Sequence, residues 1–226
     1  MPLKFEKLRV RPDYVDEVYR VLLDAISDGS LPPGTRLTQE DIAEQFAVSR
    51  SPVLQALRLL KKDGLVQDAP GRGVLVTPLD VEWIGRLYEV RGALDSLAAK
   101  LAAQRGSKID PALIAQGRRA SKGKDVKAMI DADAAFHNAI YRASGNPLIG
   151  ESAHLHWVHL RRVMGAVLQS SKLRDSIWDE HAAIAQAIAA GNMQQAVEMT
   201  ELHTNRARSN LVARLSDVLG AAASEA

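Results

Sequence analysis

From Leu79 to the end of the chain, apolar side chains recur at helical spacing, and no stretch alternates as a strand would. Most of this 226-residue chain must therefore fold as helices that cover one another. "DVEWIGRLYEVRGALDSLAAKLAAQRG" is the longest of them, and "DPALIAQGRRAS" opens on an Asp-Pro cap. Further helices are predicted over 125–143, 147–169 and 173–190. Gly191-Asn192 breaks the pattern before a last one from 193 to about 219. Six helices with short connections imply an antiparallel bundle. The closing "GAAASEA" is expected to fray.

The first third reads differently. Val15, Val18, Tyr19, Leu22, Leu23 and Ile26 make one face of an amphipathic helix, which Gly29 and "LPPG" stop. "TQEDIAEQF" starts a short second helix, with Thr38 as its cap and Asp41 three residues on. "AVS" is a turn. A third helix is expected with Ser51 as N-cap and Pro52 at its first position, and Val53, Ala56, Leu57 and Leu60 facing inward. Leu65-Val66 and 74–77 form a strand pair around a tight turn, with Arg72 at its tip. Helix, helix, turn, helix, hairpin is the order of a winged helix-turn-helix. The fold class is therefore mainly α: a winged helix-turn-helix over 1–78, then an all-α bundle of about six helices over 79–226.

Net charge is only +2, but its distribution is uneven. Arg50, Arg58, Lys61 and Lys62 fall between Phe46 and Lys62 with no acidic residue among them. Such a run is either a solvated face or a phosphate-facing surface. In a winged fold the third helix would enter the major groove and the wing would lay Arg72 along the backbone or minor groove. No cysteine is present, which excludes disulfides and thiolate metal sites. No apolar run approaches a membrane span, and the first ten residues show no apolar core of a secretory signal. The expectation is a cytoplasmic protein without a membrane partner.

Three histidines and one aspartate interrupt apolar stripes in the bundle. Asp133 and His137 stand one turn apart among Met129, Ile130, Phe136, Ile140 and Tyr141. His181 shares a face with Trp178, Ile184 and Ile188, and His203 with Ala196, Met199, Ala207 and Leu211. A hydrogen-bonded Asp–His pair and separate satisfied core histidines would account for them. So would a divalent metal held inside the bundle, with zinc first and nickel, manganese or iron as alternatives. His154, His156 and His159 do not fit that ligand set and are expected at solvent or an interface. Trp83, Trp157 and Trp178 are expected in cores or at a dimer contact.

"LPPGTRLTQEDIAEQFAVSRSPVLQALRLLKKDGLVQDAPGRGVLVTPL" resembles the DNA-binding domain of the GntR family of bacterial transcription regulators, over about residues 12 to 79. The resemblance implies contacts to double-stranded operator DNA from Arg36, Ser49, Arg50, Ser51, Gly71, Arg72 and Gly73. One departure stands out. The family usually has arginine then glutamate after "PV", where this chain has Leu54 and Gln55. A bidentate arginine–guanine pair contributes ~1–3 kcal/mol of base discrimination, so operator sequence should change, while phosphate contacts still supply affinity. Gln55 is taken as a further base-contacting candidate.

"LYEVRGALDSLAAKLAA", "DADAAFHNAIYRASGNPLI" and "DEHAAIAQAIAAGNMQQAVEMTELH" resemble the FCD effector domain, over about residues 80 to 216. That likeness implies a divalent metal on Asp133, His137, His181 and His203, and a small carboxylate effector supported by Arg91, for which a helix-surface or interhelical ion pair is the alternative role. The expected function is a ligand-responsive, homodimeric DNA-binding transcription regulator, not an enzyme. A metal-dependent hydrolase with an appended DNA-binding domain stays open as a rival, though no HExxH motif is present. So does a constitutive DNA-binding protein with a structural metal.

Overall fold

The computed structural model describes residues 14–168 and 175–224. Expectations for the first 13 residues, for the helix ends at 169 and 173–174, and for the last two residues lie outside that range. The chain forms two compact units. One takes residues up to Ile26 together with Leu31–Thr77; the other takes Ser27–Ser30 and the chain from Pro78.

In the first unit, α1 (Tyr14–Asp28) buries Val18, Leu22 and Ile26. Two residues, Arg36–Leu37, form β1. The Thr38 side chain accepts from the Asp41 backbone N–H and starts α2 (Gln39–Gln45). The turn that follows places Ala47 at φ 51°, a left-handed conformation rarely taken with a Cβ present. α3 (Arg50–Lys62) starts on Ser49, not on Ser51. Pro52 is therefore the third helical residue; its missing N–H falls among the four donors that a helix start leaves unpaired in any case. Val53, Ala56, Leu57 and Leu60 are buried as expected.

β2 (Val66–Asp68) and β3 (Val74–Val76) make the wing, and β1 pairs with the far edge of β3. The sheet is antiparallel in the order β1-β3-β2, with Arg36 opposite Leu75 and Gln67 opposite Leu75 on the other side. β1 was not expected, because two residues carry no periodicity. Gly73 makes the closure possible. At φ 85° it takes a left-handed conformation, and a Cβ there would stand 2.4 Å from the Leu37 carbonyl oxygen.

The second unit holds α4 (Val81–Gln104), α5 (Pro111–Lys122), α6 (Val126–Ala143), α7 (Pro147–Val167), α8 (Asp175–Ala189) and α9 (Met193–Ser224). Asp80, Asp110, Asp125 and Asn146 cap four of them through their side chains, each contributing about 1 kcal/mol. α9 packs on α4 and α8, and α6 packs on α4, α5 and α7. On α4, Ala98, Ala99, Ala102 and Ala103 are buried, and such small side chains let neighbouring helices approach closely. Phe136, Trp157 and Trp178 fill the rest of that core. α9 runs through Ser224, so the expected fraying after residue 219 is corrected: "GAAAS" continues the helix.

His159 also corrects an expectation. It is buried against the Trp83 ring, with centroids 4.4 Å apart, and does not face solvent. His156 is half-buried, and His154 is exposed as expected. No helix among the described residues is long and apolar enough to cross a membrane.

Candidate metal centre and nucleic-acid interface

The stripe interruptions on α6, α8 and α9 meet inside the second unit. His137, His181 and His203 are all buried, and each offers a ring nitrogen within 4.8 Å of the other two. The Nε2 atoms of His181 and His203 are 3.3 Å apart. Two nitrogens each ~2.0–2.1 Å from one tetrahedral cation would stand ~3.3 Å apart, so this pair is already at the spacing a shared ion requires. Asp133 Oδ1 lies 3.5 Å from His181 Nε2 and 4.0 Å from His137 Nε2. The four residues named from the sequence therefore share one locality.

Two carboxylates stand behind the imidazoles. Glu180 Oε2 is 2.9 Å from His203 Nδ1, and Asp95 Oδ2 is 3.6 Å from His137 Nδ1. At hydrogen-bond distance, the Glu180 carboxylate fixes the His203 tautomer and leaves its Nε2 free to bind a cation, whereas Asp95 only faces His137. The buried Nε2 of His137 has no hydrogen-bond partner among the described residues. Buried polar atoms rarely go unmatched, and a cation at this point would satisfy it. Burial holds His137 and His181 well below the ordinary imidazole pKa, with Arg91 and neighbouring histidines adding to the effect. Both rings are thus neutral at physiological pH, the form that ligates metal. The donors present fit a divalent cation of the zinc, nickel, manganese or iron type.

Arg91 is fully inside, 3.2 Å from Asp95 Oδ2 on its own helix and 4.3 Å above the Trp157 ring. Burial works to lower its pKa, but Asp95, Tyr88, Tyr141 and Asp133 outweigh that, and the guanidinium stays charged. Asp95 also accepts a hydrogen bond from the Tyr141 hydroxyl. Arg91, Asp133 and His203 line one part of a cavity of about 330 Å³ bounded by α4–α9. That size is at the lower end for small-molecule sites.

Sequence reasoning missed Asp95 and Glu180. Asp95 had a signal, an acid four residues after Arg91 on a buried face. Glu180 had none: it points away from His181 along its own helix, and only the packing of α9 brings His203 and Arg206 to it. Burial works to raise the Glu180 pKa, but hydrogen bonds from His203 and Arg206 bring it below the usual carboxylate value.

In the first unit, Ser49, Arg50, Ser51 and Gln55 are exposed at the start and along the outer face of α3, and Leu54 is half-buried. Arg50 pairs with Glu40 at 3.0 Å. Gly71 and Arg72 are exposed at the wing tip, and Gly73 is half-buried behind them. The Arg36 guanidinium donates to the Pro70 carbonyl at 2.7 Å and to the Arg72 carbonyl at 2.6 Å. It ties the wing turn to β1 while remaining exposed.

Comparison with known proteins fits both units. The bacterial regulatory protein gntR family matches residues 14–76, and the FCD domain matches residues 86–206. The chain belongs to the GntR family, with an FCD domain. This GntR regulator is 31% identical to the transcriptional regulator LutR of Bacillus subtilis over 201 residues, covering 76% of this chain and 89% of LutR. It is 36% identical to the regulator YdhC of the same organism, over 95 residues that make up 42% of either chain. The structure of E. coli McbR/YncC shares its fold, with a TM-score of 0.76, 21% identity, and coverage of 90% of this chain and 98% of that one. Like these relatives, the GntR chain is a DNA-binding transcription regulator and not an enzyme, so the hydrolase reading falls away.

Proposed function

We propose that this GntR regulator holds a divalent metal on Asp133, His137, His181 and His203 and uses it to sense a small carboxylate. The observation that carries the reading is the convergence of three buried imidazoles from three helices, with Glu180 hydrogen-bonded to Nδ1 of His203 and Asp95 facing Nδ1 of His137. The cation would supply a Lewis-acidic point for carboxylate oxygens. Arg91 would hold the ligand's charge from the cavity wall, with its own position fixed by Asp95 and Trp157. The adjoining cavity favours a sensing metal over a purely structural one.

DNA would be read by α3 and the wing. Arg50, Ser49 and Ser51 would meet the major groove and its phosphates, with Gln55 reaching a base edge. Arg72, flanked by Gly71 and Gly73, would follow the backbone, and Arg36 would hold the wing in place. A homodimer would present two such surfaces to two half-sites. In support, Trp83, Val90 and Leu97 lie seven residues apart on α4 and are exposed, an apolar stripe that a second copy would cover. The protein would act in the cytoplasm. Ligand changes operator affinity only by binding one arrangement of the dimer better than the other.

The test is fluorescence anisotropy on operator DNA with the full chain, metal-loaded or chelator-stripped, across a panel of carboxylates. A carboxylate that shifts operator affinity only when metal is present supports the reading. An affinity indifferent to every acid in both metal states contradicts it.

A further inference from the structure

The cavity beside the histidines is long and two-ended. α9 forms one rail: His203, Ala207, Asn210, Leu211 and Arg214 all line it. Their spacings of four, seven, eight and eleven residues put them on one helix face. At 1.5 Å per residue, His203 and Arg214 are ~16 Å apart along the axis. Arg91, Asp133 and His203 make one end polar. Trp178 of α8 lines the histidine end, its ring 4.7 Å from that of His181, while Met164 and Val167 of α7 and Leu211 of α9 add apolar walls.

Charge is uneven along that rail. Arg206 is committed to Glu180, which also holds His203. Arg214 lines the cavity, half-buried, with no ion pair or hydrogen bond among the described residues. Guanidinium is the side chain best suited to hold a carboxylate, through two parallel hydrogen bonds. A hydroxyl-rich acid would leave hydroxyls against Met164, Val167 and Leu211, where they lose water without gaining partners, with Ser121, Ser176 and Asn210 among the few neutral polar side chains of the lining to meet them.

The geometry points to an elongated diacid as the effector. One carboxylate sits at the histidine end by Arg91, an apolar body lies along Met164, Val167 and Leu211, and the second carboxylate is held by Arg214. This assignment rests on the carboxylate-sensing reading of the same site, and it makes Arg214 the residue that measures ligand length.

The experiment is calorimetric titration of the zinc-loaded full chain with straight-chain diacids from glutarate to sebacate, the matching monoacids, and gluconate. Wild type and Arg214→Gln are compared. One diacid length should bind about tenfold more tightly than its monoacid, the effect of one charge-assisted contact. Arg214→Gln should erase that difference and leave the monoacid unchanged, which also shows that the variant folds. Equal binding of diacid and monoacid at every length, or an equal loss for both in the variant, overturns the assignment to Arg214 while carboxylate sensing stands. Gluconate binding more tightly than either overturns the apolar body alone. No binding by any of these acids overturns the diacid assignment and counts against carboxylate sensing as well.

Discussion

Removing the Asp95 carboxylate would strip Arg91 of its nearest counter-charge, His137 Nδ1 of its facing oxygen and the Tyr141 hydroxyl of its acceptor, all inside the core. Breaking one side of a buried ion pair typically costs ~3–5 kcal/mol, because the remaining charge stays desolvated. Asp95→Ala should lose stability on that scale in urea unfolding of the metal-free chain. The histidines predict a pH dependence. His137 and His181 are neutral when folded because burial lowers their pKa, whereas unfolded imidazoles titrate at the ordinary 6.5. Below that value the unfolded chain binds more protons, so stability falls as pH drops through it and levels off above it. The urea midpoint of the chelator-treated chain should decline from neutral pH to about pH 5.5. Substituting His137 and His181 together with non-ionising residues should flatten that decline. These histidines were legible in the sequence because each breaks an apolar stripe on its own helix. Glu180 was not, since its role depends on which helix lies across from it, and periodicity along one helix carries no such information.

Helix capping and helix-helix contact can be tested separately. Gly117 on α5 lies against Trp178 of α8, where an added Cβ would stand 1.9 Å from the ring. Gly→Ala in an exposed helix normally stabilises by about 1 kcal/mol. Here the sign should reverse, with Gly117→Ala costing ~1–3 kcal/mol through overpacking, read as a lowered thermal midpoint. In the DNA-reading unit, Arg50→Ala should reduce the slope of log affinity against log salt by about one, the signature of one phosphate contact. Arg36→Ala should weaken operator binding through a loosened wing, since its guanidinium joins β1 to the turn carbonyls of Pro70 and Arg72. Asp110 announced a helix start because a cap and the stripe behind it are local signals. β1 left no trace, because Arg36–Leu37 is a strand only by virtue of pairing with β3. The start of α3 was misplaced by two residues for a related reason: Ser49 and Ser51 both suit a cap, and Pro52 fits the first or third helical position.

The regulator as a whole contains two units of distinct chemical character. One carries exposed basic and polar side chains at the start of α3 and at the wing tip. The other encloses titratable groups around a cavity. Their separation near Pro78 could be read from the change of pattern there, whereas the cavity could not, because its walls come from six helices. Metal bound to the folded chain and not to the unfolded one adds stability as its concentration exceeds its dissociation constant, about 2.7 kcal/mol at a hundredfold excess. The metal-loaded protein should therefore melt well above the stripped one. The most direct measurement is calorimetric titration of zinc into the stripped full chain, beside His181→Ala checked for folding by circular dichroism. One tight site per wild-type chain, lost in the folded variant, is the predicted result. No zinc uptake, or uptake unchanged in the variant, would contradict the metal centre at the heart of this account.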